Sequence, residues 1–290
     1  MHVPVLVQEV LEYLDPRPGR HFIDATAGDG GHAKEILKLT GPDGKMIAVD
    51  RDADSIVRAK SNLGEFGDRV LFVNDSFGNL KEIAGIGNLA PFDGILFDFG
   101  MSSSQLENSG RGFSFQKDEI LDMRYDVKNP VTAEDIVNEY GEEELAAIFT
   151  KWGEEPKAKI VAREIVASRK GKRIKTTGEL VKIIEKVSRR RGKIHPATLV
   201  FQALRIEVNQ EFSEIERALA AIPIAIRKGG SAVFISFHSI EDRLIKNWSK
   251  NLEKEGVIQI LNEKPIVASA EEVKRNPRSR SAKLRAIQIA

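Results

Sequence analysis

The chain has 290 residues and 41% hydrophobic residues, enough for one large buried core or for a core and a smaller domain. Cysteine is absent and the five histidines show no i, i+4 ligand spacing, so disulfides are excluded and we expect no metal. The apolar runs are too short to cross a bilayer, and Glu9 and Glu12 interrupt the first one. These features predict a cytoplasmic protein without a signal peptide.

Short β-branched runs alternate with helical patterns through the first hundred residues. Strands are predicted at 21–27, 45–50, 70–74 and 92–99, and helices at 31–39 and 53–63, with a glycine- and proline-containing break at 41–44. Strand–helix alternation at this spacing predicts an α/β fold with a parallel, doubly wound sheet.

The pattern changes after Gly100. Only helical periodicity is found to about residue 195, with helices predicted at 133–140, 142–149, 157–169 and 177–190. A helix at 198–221, a turn at 228–230, a strand at 231–237, a helix at 240–252 and strands at 257–261 and 284–289 follow. The sequence therefore predicts a core domain made of 1–115 and 196–290, and an inserted all-helical domain at 116–195.

The small net charge hides an uneven distribution. Residues 157–193 carry 14 Lys and Arg against 3 Glu, a net of +11, and residues 274–285 carry 6 Lys and Arg with no acid. The rest of the chain therefore carries −16. One basic run is typical of a solvated helix face, but two basic segments on an acidic body favour a nucleic-acid partner.

A glycine-rich turn follows the first predicted strand, at Gly28, Gly30 and Gly31. Glycines at this point let the backbone turn sharply and approach a ligand closely. The turn fits the dinucleotide pattern GxGxxG/A, ending at Ala33, and equally the methyltransferase pattern DxxxGxG, which begins at Asp24. The turn alone therefore does not decide between a nicotinamide dinucleotide and a methyl-donor cofactor.

Four carboxylates are predicted at four successive strand ends: Asp24, Asp50, Asp75 and Asp98. Asp50 is placed to accept hydrogen bonds from ribose hydroxyls, and Asp75 from an adenine amino group. Asp24 would repel a pyrophosphate and attract a cationic ligand such as a sulfonium. Each Asp alone could simply cap the following helix, but the four together favour a ligand site.

Seven motifs in this order resemble the MraW/RsmH family of bacterial methyltransferases, which modify the exocyclic N4 of a cytosine in the decoding region of small-subunit ribosomal RNA. The motifs are HVPVLVQEVL (2–11), DATAGDGGH (24–32), DFGMSSSQL (98–106), RGFSFQKDEILDMRYD (111–126), PATLVFQALRIEVNQE (196–211), SFHSIEDRLIK (236–246) and NPRSRSAKLRA (276–286). Since they span nearly the whole chain, the resemblance is highly specific.

The resemblance implies a class I methyltransferase fold, Rossmann-like with an inserted helical domain, and S-adenosyl-L-methionine as the cofactor. The cofactor contacts that it implies are Gly30, Gly31, His32, Asp50, Phe77, Asp98 and Gln105. Phe77 could stack on adenine or pack in the core. One departure concerns residues 98–103, DFGMSS, which lack the paired prolines of many amino-nitrogen methyltransferases. Catalytic roles are therefore not copied from those enzymes.

Asp98, or a carbonyl group within 98–102, is the catalytic candidate, because an acceptor for the amino hydrogens would make a cytosine N4 more nucleophilic. Candidate base contacts are Ser102, Ser103, Arg124, Glu207 and Asn209. The basic tail 276–285 and Arg189, Arg190 and Arg191 are expected to hold RNA phosphates. His238 could accept a proton after transfer or contact a phosphate. Ion pairs or helix caps are the alternatives for Arg124, Glu207 and Asn209. A structural histidine is the alternative for His238.

The expected partner is small-subunit ribosomal RNA, free or within the small ribosomal subunit. Three other functions stay open: an NAD-dependent dehydrogenase, a DNA amino-methyltransferase, and a non-catalytic RNA-binding assembly factor. The sequence leaves the oligomeric state open as well, with a homodimer as one arrangement.

Overall fold

A computed structural model describes residues 4–188 and 195–290 of the chain. They form two compact units, one of Met1–Gly100 with Phe212–Ala290 and one of Met101–Glu211. In these described ranges, no helix combines the length and the apolar character needed to span a bilayer.

The elements follow one another in this chain order. The first unit begins with α1 (Val7–Leu14), β1 (Phe22–Asp24), α2 (Gly31–Thr40), β2 (Met46–Asp50), α3 (Ala53–Asn62), β3 (Val70–Asn74), α4 (Leu80–Ala84) and β4 (Phe92–Asp98). The second unit contains α5 (Ser103–Asn108), α6 (Ala133–Glu139), α7 (Glu142–Lys151), α8 (Ala158–Arg169), α9 (Thr177–Val187) and α10 (Ala197–Asn209). The chain then returns with α11 (Glu211–Ala225), β5 (Ile226–Ser236), α12 (Ser239–Lys254), β6 (Ile258–Ile260), β7 (Ile266–Val267), α13 (Ala270–Arg275) and β8 (Lys283–Ile289).

The described strands form one sheet in the order β3-β2-β1-β4-β5-β8-β6, with β7 also paired to β8. The pairs from β3 to β5 are parallel, and β8 runs antiparallel to β5, β6 and β7. The predicted doubly wound, mostly parallel sheet is confirmed. The strand order reverses between β1 and β4, and sheets of this kind bind ligands beside the carboxyl ends of the strands at such a switch point.

Both faces of the sheet are covered, which explains why its strands are continuously apolar. Along β2, Ile47 and Val49 belong to a core that includes Leu219 and Ile222 of α11. Met46 and Ala48 belong to the opposite core, with apolar residues of α1 and α2. The alternation within one buried strand therefore divides the apolar side chains between two layers.

Strand β5 differs from its predicted bounds, since it begins at Ile226 and not at residue 231. The predicted turn at 228–230 is an irregularity inside the strand, where the register against β4 shifts between Phe92 and Gly94. Gly229 has a φ of +75°, and a Cβ on Gly230 would lie 2.7 Å from the Asp93 carbonyl oxygen. These glycines make a bulge with close backbone contact.

The second unit is larger than the predicted insertion at 116–195. Its helices share one hydrophobic core, and Val200, Phe201 and Leu204 of α10 are part of it together with Phe149 of α7. The predicted helix at 198–221 is also wrong as a single element, because Gln210 adopts a left-handed conformation (φ 51°) between α10 and α11. The unit boundary falls at this break because α10 is buried in the second unit. The only named β contact of this unit, within the described residues, is an isolated bridge between Ile120 and Thr176.

Candidate active site

Three of the four predicted carboxylates come together at the carboxyl ends of neighbouring strands. Asp24 ends β1, Asp50 ends β2 and Asp98 ends β4, with β1 paired to both other strands. Asp50 and Asp98 are close enough to Asp24 for charge repulsion to raise the pKa values of Asp24 and Asp98. The predicted positions of these three carboxylates at strand ends are therefore confirmed, and their role in binding a ligand stays a prediction.

The glycine-rich turn lies directly beside this cluster. Gly28 and Gly30 have φ values of +52° and +86°, which side chains with a Cβ rarely adopt. The Gly28 N–H donates a hydrogen bond of 2.9 Å to Asp50 Oδ2. Arg58 of α3 pairs with Asp29 in the turn at 2.7 Å. The turn is therefore held from two sides, by the end of β2 and by α3.

Asp24 is almost fully buried, with 1% of its surface exposed. Burial, reinforced by the charge of Asp50, raises the pKa of this carboxyl from the ordinary 3.8 to about 7. Hydrogen bonds from the backbone N–H groups of Thr26 and Ala33 offset part of this effect. At neutral pH the carboxyl is therefore poised between its two protonation states.

Asp50 accepts hydrogen bonds at both oxygens, from Asp52 N–H at 2.8 Å and from Gly28 N–H. Burial raises the pKa of Asp50 to about 6, and these two donors and Arg58 counteract the rise. Each carboxylate oxygen has two acceptor positions, so further donors such as ribose hydroxyls can be accommodated.

Asp98 has the least compensated carboxylate of the three. Its Oδ1 is buried and has no hydrogen-bond partner within residues 4–188 and 195–290, while Oδ2 lies 3.7 Å from His32 Nδ1. Burial raises the pKa of Asp98 well above its usual range, and the charges of Asp24 and Glu241 add to this rise. A positively charged ligand beside these groups would relieve the cost of ionising them.

Asp75, the fourth predicted carboxylate, is used mainly within its own turn. Its Oδ1 accepts from Ser76 N–H at 2.7 Å and from Asn79 Nδ2 at 2.9 Å. These local hydrogen bonds match the alternative in which Asp75 caps the following turn. Phe77, in the 3-10 turn Phe77–Asn79, packs edge-on against Phe97 and Phe99, with ring centroids 6.0 and 5.7 Å apart. Phe77 therefore packs in the core with at least one side of its ring, as the alternative to adenine stacking predicts.

Sequence reasoning missed Glu214, which anchors the same turn from α11. The Ser76 hydroxyl donates to Glu214 Oε2, and Arg217 pairs with Glu214 Oε1 at 2.6 Å. Ser76 Oγ also accepts from Gly78 N–H. A side chain at Gly78 would collide with both Glu214 and Arg217. This contact joins residues 138 positions apart, so no local sequence pattern indicates it.

Glu214→Ala is expected to lower the free energy of unfolding by about 1–3 kcal/mol, because the half-buried Ser76 hydroxyl loses the buried carboxylate that accepts its hydrogen bond. Urea unfolding measures the change. The matched control is Glu216→Ala, an exposed position on the same helix. Equal stability of the two variants would contradict a structural role for the Glu214 contacts.

Two predicted histidines have defined positions. His32 is 7% exposed, and its Nε2 lies 2.8 Å from the Val5 carbonyl oxygen. His238 is the N-cap of α12, where Nδ1 accepts from Glu241 N–H at 3.3 Å. Its Nε2 lies 3.0 Å from Glu241 Oε1 without the alignment of a hydrogen bond. The described contacts of His238 therefore match the structural alternative, in which the ring caps a helix. Glu241 itself was not predicted, although the capping-box spacing from His238 signals it.

Most base-contact candidates of the second unit have structural partners there. Ser102 and Gln105 form the capping box of α5, and the side chain of Ser103 lies outside the described set. The Arg124 guanidinium pairs with Asp122 at 2.8 Å.

Two further candidates are used by neighbouring residues. Glu207 accepts a hydrogen bond from Trp152 Nε1 at 2.8 Å. Asn209 is 1% exposed; its Oδ1 accepts from Tyr125 N–H and its Nδ2 donates to the Met123 carbonyl. These contacts match the structural alternative for Asn209, since the buried amide joins α10 to the loop at 123–125.

The basic segments are partly neutralised by acidic neighbours. Arg173 pairs with Glu134, Asp135 and Glu139, and Arg285 is buried against Asp242 at 2.6 Å. Arg285, in the basic segment 274–285, is therefore held in an ion pair within its own unit. In the described part of the basic segment 157–193, the exposed cations without an ion-pair partner are Lys159, Lys170, Lys175 and Lys182. Arg189, Arg190 and Arg191 lie outside the described residues.

Known proteins resemble this chain both in sequence and in fold. A family model described as the MraW methylase family matches residues 1–290. A ribosomal RNA small subunit methyltransferase H of Symbiobacterium thermophilum is 43% identical, covering 99% of this chain and 96% of that protein. The protein of the same name from a Sulfurihydrogenibium species is 46% identical, with coverages of 98% and 97%.

Among solved structures, a putative rRNA methylase from Clostridium thermocellum shares the fold, with a TM-score of 0.50, 11% identity and full coverage of both chains. This likeness supports the class I methyltransferase architecture that the sheet order already indicates. The match to the family model extends over the acidic cluster, the glycine-rich turn and the helical unit together. The chain belongs to the MraW methylase family.

Proposed function

We propose that this protein transfers a methyl group from S-adenosyl-L-methionine to the exocyclic N4 of a cytosine in the decoding region of small-subunit ribosomal RNA. The observation that carries the proposal is the cluster of carboxylates at the ends of β1, β2 and β4, where Asp24 is buried and the buried Oδ1 of Asp98 has no described partner. Relatives named as small-subunit ribosomal RNA methyltransferases support the choice of substrate.

The described residues fit this cofactor. Asp50 would accept hydrogen bonds from the ribose hydroxyls, and the turn at Gly28 and Gly30 gives the backbone close access to a ligand. Asp24 would face the cationic part, since its carboxyl is buried beside a second acid, Asp50. Phe77 would contact the adenine. When bound, S-adenosylmethionine supplies a methyl group already activated by the sulfonium, so the protein mainly has to align the reacting atoms.

Asp98 is the group we assign to the target amine. The lone pair of a cytosine N4 is delocalised into the ring, so an acceptor for the amino hydrogens makes the nitrogen more tetrahedral and more nucleophilic. Asp98 Oδ1 is a buried acceptor that lies at the strand end facing the ligand crevice. The target base must leave its stack to reach such a buried group.

Transfer of tritium from labelled S-adenosylmethionine to small ribosomal subunits that lack the modification tests the proposal. Nucleoside analysis should then find the label in N4-methylcytidine. Label in another nucleoside would correct the target, and label in DNA would favour a DNA amino-methyltransferase. Binding of the cofactor without transfer to any ribosomal particle would favour an assembly factor. Binding of NADH would favour a dehydrogenase, although the uncompensated carboxylates disfavour a pyrophosphate at this site.

Asp50→Ala is expected to weaken cofactor binding by about 1–3 kcal/mol, because buried ribose hydroxyls lose their acceptor. Isothermal calorimetry with S-adenosylmethionine measures the loss. Asp54→Ala is the matched control, because this carboxylate lies four residues further on, exposed in the first turn of α3. If the affinity of the Asp50 variant equals that of the control, Asp50 does not hold the ribose.

Replacement of Arg189, Arg190 and Arg191 by Ala is expected to weaken RNA binding and to flatten its dependence on salt by about one unit of slope per lost phosphate contact. RNA affinity measured across a salt series gives the slope. Arg173→Ala is the matched control, since Arg173 already pairs with three acidic side chains. An unchanged slope in the triple variant would mean that these arginines only solvate the surface.

A further inference from the structure

The His32 ring is held in one orientation beside Asp98. It lies in the first turn of α2, and its Nε2 is 2.8 Å from the Val5 carbonyl oxygen. A carbonyl oxygen can only accept, so Nε2 must carry the hydrogen of this bond. In the neutral ring, Nδ1 is then the basic nitrogen. Nδ1 is the atom that faces Asp98, at 3.7 Å from Oδ2.

Asp98 is fixed from the backbone side as well. Its N–H donates a hydrogen bond of 2.6 Å to Thr26 Oγ1. The charged groups that act on its carboxylate come from three elements: Asp24 of β1, Glu241 of α12 and His32 of α2. Two of these are anions, so His32 is the neighbour that can take up positive charge favourably.

We propose that His32 receives, through Asp98, the proton that the target amine loses on methylation. The inference rests on the proposed function, because it requires an amino-group substrate. Asp98 then presents two different oxygens to two different partners. Oδ1, which lacks a described partner, faces the amine, and Oδ2 faces the imidazole.

The N4 lone pair forms the new N–C bond as the C–S bond breaks and its electron pair stays on sulfur. An N4–H bond then breaks, with its electron pair remaining on nitrogen, and the proton passes to the Asp98 carboxylate. Rotation of the Asp98 carboxyl group about its Cβ–Cγ bond then exchanges the two oxygens, so that the protonated one faces the imidazole. Its proton moves to His32 Nδ1, which restores the carboxylate and leaves an imidazolium. The imidazolium loses its proton to water after the product leaves.

A purely structural histidine would need only the bond to Val5. The distance of 3.7 Å is longer than a hydrogen bond, as is common in ligand-free catalytic sites. A small rotation of the Asp98 carboxylate changes this distance without breaking the Val5 contact. The backbone of His32 can still contact the cofactor next to the glycine-rich turn. The proton relay is an additional role, carried by the side chain.

Nitrogen-15 and carbon-13 NMR of the ligand-free protein tests the coupling without any turnover. We expect His32 to be the Nε2–H tautomer, and its Nδ1 shift to change over the same pH range as the Asp98 carboxyl shift. In Asp98→Asn, the change at Nδ1 should move to a different pH range. A His32 titration that is identical in the wild type and in Asp98→Asn would overturn the proposal.

Single-turnover transfer with His32→Gln is the second test. The Gln amide can still donate to the Val5 carbonyl but cannot take up a proton. We expect the transfer rate to fall about 10- to 100-fold, within the usual range for loss of general acid–base help, with a changed pH profile. The affinity for S-adenosylhomocysteine should stay within about twofold.

An unchanged rate and pH profile in His32→Gln would overturn the relay while the proposed function stands. Absence of transfer by the wild type would instead overturn the proposed function. If His32→Gln fails to fold, the NMR comparison of the wild type with Asp98→Asn still decides the question.

Discussion

Asp98→Asn is expected to reduce methyl transfer by about 10²- to 10⁴-fold, the range typical of losing a proton-accepting group. The Asn oxygen can accept a hydrogen bond from the amine, but it cannot take its proton or balance its charge. The replacement also removes a buried anion that Asp24 and Glu241 repel, so the protein should remain folded.

Single-turnover transfer with labelled cofactor gives the rate, and calorimetry with S-adenosylhomocysteine gives binding separately. Asp93→Asn is the matched control, because Asp93 lies in the same strand and pairs with Arg227. Normal turnover by the Asp98 variant would remove Asp98 from the chemistry. Loss of binding at an unchanged single-turnover rate would assign it to cofactor binding.

The sheet and its acidic cluster were predictable because both depend on local patterns. A buried parallel strand is a short apolar run, and its ligand-facing end is marked by an acid or a glycine-rich turn, as at Asp24, Gly28 and Asp98. The switch between β1 and β4 then brings these positions together without further information.

The remaining features depend on contacts between distant residues. Glu214 reaches Ser76 from a helix 138 positions away, and Asn209 joins residues 84 and 86 positions apart from it. No glycine or proline lies at the break at Gln210, and the helical pattern continues across it. The sequence therefore predicts one helix where the structure has two. Asp75 shows the converse: its place after β3 was predicted, but its use in local capping follows from the turn geometry.

Asp24→Asn is expected to stabilise the ligand-free protein at pH 8 by about 1–3 kcal/mol and to change its stability little at pH 4. The Asp24 carboxyl has a pKa of about 7 in the folded protein against 3.8 ordinarily. Between these values the folded state binds more protons than the unfolded state. Stability of the wild type therefore falls as pH rises through this window, by at most about 4 kcal/mol from this group.

Urea unfolding of the wild type and Asp24→Asn at pH 4 and pH 8 measures the difference, with the exposed Asp54→Asn as the control. The same variant should bind S-adenosylmethionine more weakly at pH 8, since the ligand's positive groups lose an anionic partner. Equal unfolding free energies for the wild type and Asp24→Asn at pH 8 would show that Asp24 carries no ionisation cost. A gain in stability together with a loss of affinity would show that the protein tolerates a destabilising buried charge because its cationic ligand needs it.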